Sequence, residues 1–130
     1  MKTKTIRQTV TFKAGPHDVY EALMDSKKHS KFTEANANIS REVGGKINAY
    51  GGYIEGVNIK IVPDKKIVQK WRGSDWPDEH YSTATFELKK SGKGTKLIFM
   101  QTDVPEEHYE PINKGWVEHY WDKMKKTFEW

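Results

Sequence analysis

The stretch PINKGWVEHYWDKMKKTF, residues 111–128, decides the fold. Ile112, Trp116, Tyr120, Met124 and Phe128 recur at i, i+4 spacing, with Val117 and Trp121 beside them. Lys114, Glu118, Asp122, Lys123 and Lys126 lie largely off that stripe. The spacing predicts a long amphipathic helix with one apolar, ring-rich face. Acidic residues crowd its start, after Val104-Pro105-Glu106-Glu107, and lysines its end, which suits the helix dipole.

Working outward, the opposite end of the chain alternates. Ile6, Val10 and Phe12 share one parity against Thr5, Arg7, Thr9 and Thr11, the pattern of a half-buried strand. Gly15-Pro16 opens a helix whose apolar face is Val19, Tyr20, Leu23 and Met24. Asp25-Ser26 breaks it, and Lys27 to Phe32 fits a short second helix. A succession of short strands follows. Ile39 and Val43 lead into Gly44-Gly45, Ile47 and Ala49 into Gly51-Gly52, and Gly-Gly between such stretches signals a two-residue hairpin. Val57, Ile59 and Ile61 share one parity before Val62-Pro63-Asp64-Lys65, ordinary turn chemistry. Ile67 to Arg72 reads as another strand. His80, Ser82, Ala84, Phe86 and Leu88 alternate along the next, and Ser91-Gly92-Lys93-Gly94 turns into Thr95 to Thr102. The order predicts an α+β fold over a single domain, residues 1–130: a curved antiparallel sheet of six or seven strands wrapped around the terminal helix, a cavity between them.

Composition narrows the class. The 130 residues are 31% charged with a mean hydropathy of −0.87, yet 12% are aromatic, which excludes a disordered chain. No cysteine is present, so disulfides, thiol nucleophiles and cysteine-based metal sites are out. No apolar run approaches the ~20 residues of a membrane span, and no apolar signal core follows Met1-Lys2-Thr3-Lys4-Thr5. A soluble, cytoplasmic protein without membrane partners is expected. The net charge of +4 is spread over short groups such as Lys27-Lys28, Lys65-Lys66, Lys89-Lys90 and Lys123, Lys125, Lys126, ordinary solvated cover rather than a nucleic-acid stripe.

Catalytic patterns are missing. Gly44-Gly45, Gly51-Gly52 and Gly92-Lys93-Gly94 lack the spacing of a phosphate loop, and there is neither a nucleophile elbow nor a His-Glu-x-x-His pair. Glu-His-Tyr occurs three times, at residues 79–81, 107–109 and 118–120. His108 and His119 stand about three turns apart on one helix, too far to share a metal. The expectation is a non-enzymatic protein without cofactor or metal. Its most suggestive residues are rings interleaved with a few polar groups. Trp71, His80, Ser82, Phe86, Trp116 and Tyr120 are the candidates to line or gate a cavity for a small hydrophobic or aromatic ligand. Trp76, in the polar loop between Asp75 and Pro77, either folds back onto the barrel mouth or anchors a protein partner.

Several separated motifs also carry a family resemblance. Ile67-Val68-Gln69-Lys70-Trp71-Arg72, then Asp75-Trp76-Pro77 and His80-Tyr81-Ser82, resemble the signature hairpin of the activator-of-heat-shock-protein-90-ATPase C-terminal domain. Gly115-Trp116, Tyr120-Trp121, Met124-Lys125 and Thr127-Phe128 are similar to the close of that domain, and Gly44-Gly45-Lys46 and Ile61-Val62-Pro63 fall at its turns. The resemblance runs from about Thr5 to Phe128. It implies a helix-grip fold of the START-like, birch-pollen-allergen-like superfamily, whose members hold hydrophobic molecules between helix and sheet. As the alternative to a ligand-binding domain, it implies a co-chaperone module that binds a heat-shock-protein-90-type chaperone and modulates its ATPase in a stress response. The eukaryotic co-chaperone carries a further N-terminal domain, whereas this sequence opens on its first strand, so a stand-alone domain is expected.

Overall fold

The alternating amino-terminal residues form β1 (Thr3–Phe12) in the computed structural model, which describes residues 2–128. Gly15 caps α1 (Pro16–Met24), with Pro16 in its first turn where a missing amide proton costs nothing. Asp25 ends that helix and caps α2 (Ser26–Thr33), its carboxylate accepting from the Lys28 amide at 3.0 Å. Six strands follow: β2 (Asn38–Ile39), β3 (Lys46–Ala49), β4 (Ile54–Val62), β5 (Lys66–Gly73), β6 (Ser82–Ser91) and β7 (Gly94–Pro105). One continuous helix closes the fold over residues 106–128. It comprises a 3-10 turn (Glu106–His108), α3 (Tyr109–Trp116), a π-helical segment (Val117–Trp121) and α4 (Asp122–Phe128).

The strands make one antiparallel sheet in the order β1-β7-β6-β5-β4-β3-β2, so the first strand lies beside the last. The sheet grips the C-terminal helix, as expected of the helix-grip fold. Its inner face supplies Ile6, Ile67, Ala84 and Leu97, fully buried, together with Phe86 and Phe99. Phe86 stands opposite both Ile67 on β5 and Phe99 on β7, so one register row feeds apolar bulk straight to the helix. There Trp116 packs on Phe99 with ring centroids 4.4 Å apart and stacks on Trp121 at 5.5 Å. Each large side chain so buried is worth about 1.5–3 kcal/mol.

Four local expectations give way. Gly44-Gly45 does not form a two-residue hairpin. β2 is only two residues long, and residues 40–45 make a wider loop held by Asn58, whose side-chain amide donates to the Ser40 and Glu42 carbonyls at 2.7 and 3.0 Å. Val43 is consequently exposed. Gly51-Gly52 likewise sits in a 3-10 turn followed by Tyr53, because Ala49 pairs with Ile54. On β4 the pairing with β5 shifts between Asn58 and Lys60. Asn58 continues the buried parity of Ile54 and Gly56, and Ile59 is left 45% exposed at the bulge. Beyond it Ile61 comes opposite the buried Ile67, which breaks the shared parity of Val57, Ile59 and Ile61. Finally, β6 begins at Ser82, so His80 precedes the strand instead of lying on it.

Candidate functional site

The concave side of a gripping sheet is where a ligand would lie, and here it is nearly full. Behind Trp116 and Tyr120, among Leu23, Ile54, Ile67 and Phe86, the remaining void is about 20 Å³. That is room for roughly one water molecule. The space that does exist lies at the mouth, a cleft of about 360 Å³ between the C-terminal helix and the turn joining β3 to β4. Tyr50, Tyr53, Trp71, Ile112, Trp116 and Tyr120 form most of its wall.

Of the cavity candidates, Trp71, Trp116 and Tyr120 therefore face both the cleft and the small void, and Phe86 faces the void only. Ser82 and His80 face neither. Ser82 is fully buried inside a hydrogen-bond chain: the Trp116 indole donates to Gln101 Oε1 (2.7 Å), Gln101 Nε2 donates to Ser82 Oγ (2.8 Å), and Ser82 donates to the Trp71 carbonyl (2.7 Å). Every polar group in that chain has a partner, which is what makes burying Gln101 tolerable. His80 sits 2.8 Å from the Asp103 carbonyl through Nε2 and ties the loop before β6 to the end of β7.

Trp76 folds back. It is 3% exposed, packed on Trp71 (5.4 Å between centroids) and flanked by His108 and His80 at 6.0 and 6.2 Å. As an exposed anchor it is ruled out by that burial. Arg72 holds the loop in place by donating to the Trp76 and Pro77 carbonyls at 2.8 and 3.3 Å. The Trp76 indole N–H itself is buried without an acceptor among the described residues.

The residues that sequence reading missed are Tyr50, Tyr53, Ile112 as a cleft residue, and His29. Tyr50 donates to the His119 carbonyl at 2.6 Å, tying the β3–β4 turn to the π-helical segment, and its ring meets Tyr120 at 5.8 Å. Tyr53 donates to Asp75 at 2.8 Å. Burial pushes the Tyr50 and Tyr53 phenols up to about 12, so both remain neutral donors at physiological pH. Beneath the cleft, His29 Nδ1 lies 3.1 Å from the Leu23 carbonyl and Nε2 lies 2.9 Å from the Tyr120 hydroxyl. The carbonyl can only accept, so Nδ1 carries the proton and Nε2 accepts from Tyr120. Burial lowers the imidazole to about 4 and raises the Tyr120 phenol, leaving a neutral, fully paired dyad. Glu-His-Tyr tripeptides mark His80, His108 and His119 in the sequence, whereas His29 stands inside a lysine-rich helix without any such motif. Among the described residues no group of three or more His, Asp or Glu side chains could hold a metal, and no helix is long and apolar enough to cross a membrane.

Comparison with known proteins adds a second line of observation. Residues 13–129 match the family model described as Activator of Hsp90 ATPase homolog 1-like protein. The chain is 34% identical over 98% of its length to the activator of 90 kDa heat shock protein ATPase homolog of Dictyostelium discoideum, and 30% identical over 91% to human homolog 1. It spans about a third of the length of these curated relatives, 34% and 35% respectively. Among solved structures it is similar to an HSP90 activator from Plasmodium falciparum, with a TM-score of 0.89 at 24% identity, covering 95% of this chain and 94% of that one. The Aha1 dimer from Colwellia psychrerythraea gives 0.83 at 21% identity, covering 97% and 96%. At these identities the structural likeness speaks for the fold.

Proposed function

The chain belongs to the Activator of Hsp90 ATPase homolog 1-like protein family, and from that premise we propose that it is a non-catalytic binding domain for a heat-shock-protein-90-type chaperone in the cytoplasm. The observation that carries this reading is the 34% identity, sustained over 98% of the chain, with a relative named as an activator of that chaperone's ATPase. The filled interior supports it too, because a grip domain whose concave side is occupied by its own Trp116, Trp121 and Phe99 has its outer surface left for recognition. Docking to the chaperone then shifts the chaperone's ATP turnover through whichever of its conformations the domain binds better.

Isothermal titration of the purified chain into the purified chaperone of the same organism tests this. Saturable binding is expected with a Kd on the order of micromolar, as for a modest transient interface, and with a change in the chaperone's ATP turnover at saturation. No heat at concentrations about tenfold higher would remove the reading.

The mouth cleft favours a second reading, a small apolar ligand held against Tyr50, Trp71 and Ile112. Its volume of about 360 Å³ lies within the ordinary range of small-molecule sites, ~300–1,000 Å³. Native mass spectrometry after incubation with cell extract tests it. A reproducible extra mass that Ile112→Trp abolishes supports a cleft ligand, and an extra mass retained by that variant puts the ligand elsewhere.

A further inference from the structure

On the side of the molecule formed by α2 and α4 lies a separate groove of about 610 Å³. Lys28 and Lys31 stand on one wall, Lys123 and Lys126 on the other, and Phe32 and Phe128 form the floor. Each lysine pair is spaced i, i+3, which puts both ammonium groups on the same helical face. None of the four lysines forms an ion pair among the described residues. Salt bridges there fall instead to His17, Arg41, Arg72, Lys89 and His108. The floor is fixed by the core. Phe32 packs edge-on to Tyr120 at 5.7 Å and the half-buried Phe128 edge-on to Phe12 at 5.8 Å, so both rings are held against the core.

We propose that this groove is the docking surface for an acidic segment of the chaperone that carries an apolar side chain, the carboxylates meeting Lys28, Lys31, Lys123 and Lys126 and the apolar side chain meeting Phe32 and Phe128. The proposal rests on the chaperone-binding reading above. Four cations without an ion-pair partner among the described residues flank an aromatic floor, and of them only Lys123 has a side-chain polar contact there, a 3.5 Å donation to the Thr33 carbonyl. They are complementary to a peptide of alternating acidic and apolar character. A phosphate backbone fits less well, since Asp18 and Glu34 also line the groove and would repel it while leaving a peptide free to place a donor there. A lipid surface fits less well for a geometric reason: the floor is recessed between two helices rather than raised above the lysines.

Charge reversal tests the groove against the wild-type chain, with the intact chaperone as the probe. Lys28→Glu with Lys31→Glu, and separately Lys126→Glu, are all changes of exposed side chains, so the thermal melt should stay within a few degrees of wild type. The double variant should weaken chaperone binding about tenfold and flatten its salt dependence, and the single variant about threefold. Lys90→Glu with Lys93→Glu, in exposed positions around the β6–β7 turn, changes the net charge equally and should alter binding less than about twofold. Wild-type binding that the groove variants leave unchanged, or that the control pair weakens as much, overturns the groove while the chaperone reading stands. A wild-type chain that does not bind the chaperone overturns both. Phosphatidylserine vesicles serve as the competing probe. If the double variant loses vesicle binding yet keeps the chaperone, the groove is a membrane site and the proposal fails.

Discussion

Trp116 and Trp76 are both buried indoles, and their contrasting partners lead to opposite expectations. The Trp116 N–H is satisfied by Gln101, and Gln101 by Ser82, so removing any member leaves a buried polar atom stranded. Trp116→Phe should cost about 2–4 kcal/mol of unfolding free energy, combining lost ring area with the orphaned Gln101 oxygen. Trp76→Phe loses the same ring area but also removes a buried N–H that has no acceptor among the described residues. The relief of that desolvation offsets part of the loss, so it should cost about 2 kcal/mol less than Trp116→Phe. Urea unfolding followed by far-ultraviolet circular dichroism measures both, and equal costs would contradict the hydrogen-bond account. His29 supplies the pH dependence. Its folded imidazole titrates near 4 and an unfolded one near 6.5, so between those values the unfolded chain binds more protons. The neutral dyad's stabilisation is therefore complete above about pH 6.5 and is lost as pH falls towards 4, by about 3 kcal/mol in all. Denaturant midpoints at pH 7 and pH 4 should show that loss, and a His29→Gln variant should show a flatter profile. The residue scale is also where sequence reading was weakest. Ser82 and His80 have the chemistry of a binding site, but in the folded chain Trp71, Gln101 and Asp103 already hold their polar atoms.

At the scale of elements, the C-terminal helix is legible in the sequence because its ring stripe is long, yet its irregular middle is not. A strict i, i+4 stripe drifts by about 40° per step around an α-helix, and Ile112 to Phe128 takes four such steps. The π-helical segment Val117–Trp121 widens the turn within the stripe and so keeps Trp116, Tyr120 and Trp121 facing the sheet together. The Tyr50 hydroxyl then caps the His119 carbonyl. Tyr50→Phe should cost about 1 kcal/mol and speed amide exchange through residues 117–121 while leaving the sheet protected, a pattern hydrogen-exchange mass spectrometry resolves. The β4 bulge escaped prediction because three β-branched residues in alternation look the same whether or not one residue is extra. Gly56 carries a related signal of close approach: a Cβ there would lie 1.9 Å from the Lys70 carbonyl oxygen on β5. Gly56→Ala should accordingly destabilise the domain by more than about 2 kcal/mol, because backbone and not a flexible side chain must move. A thermal melt unchanged from wild type would show that β4 and β5 can separate there at little cost.

For the molecule as a whole, the order of elements and the burial of the helix followed from periodicity and turns, since both depend on which face of each element is apolar. The site did not. Whether a helix-grip domain keeps a cavity depends on how side chains from the seven strands meet those of the helix, and periodicity says nothing about the volume left over. Here Phe99, Trp116 and Trp121 close it, and the open concave surfaces that remain include the mouth cleft and the lysine groove between α2 and α4. The basic residues read as dispersed along the sequence, because the two lysine pairs of that groove are separated by most of the chain and only the packing of α4 on α2 brings them together. The most direct measurement is a nitrogen-15 heteronuclear correlation titration of the labelled chain with unlabelled heat-shock-protein-90-type chaperone. The account predicts line broadening concentrated at Lys28, Lys31, Phe32, Lys123 and Lys126. A spectrum unchanged by excess chaperone, or broadening confined to the cleft around Tyr50 and Ile112, would contradict it.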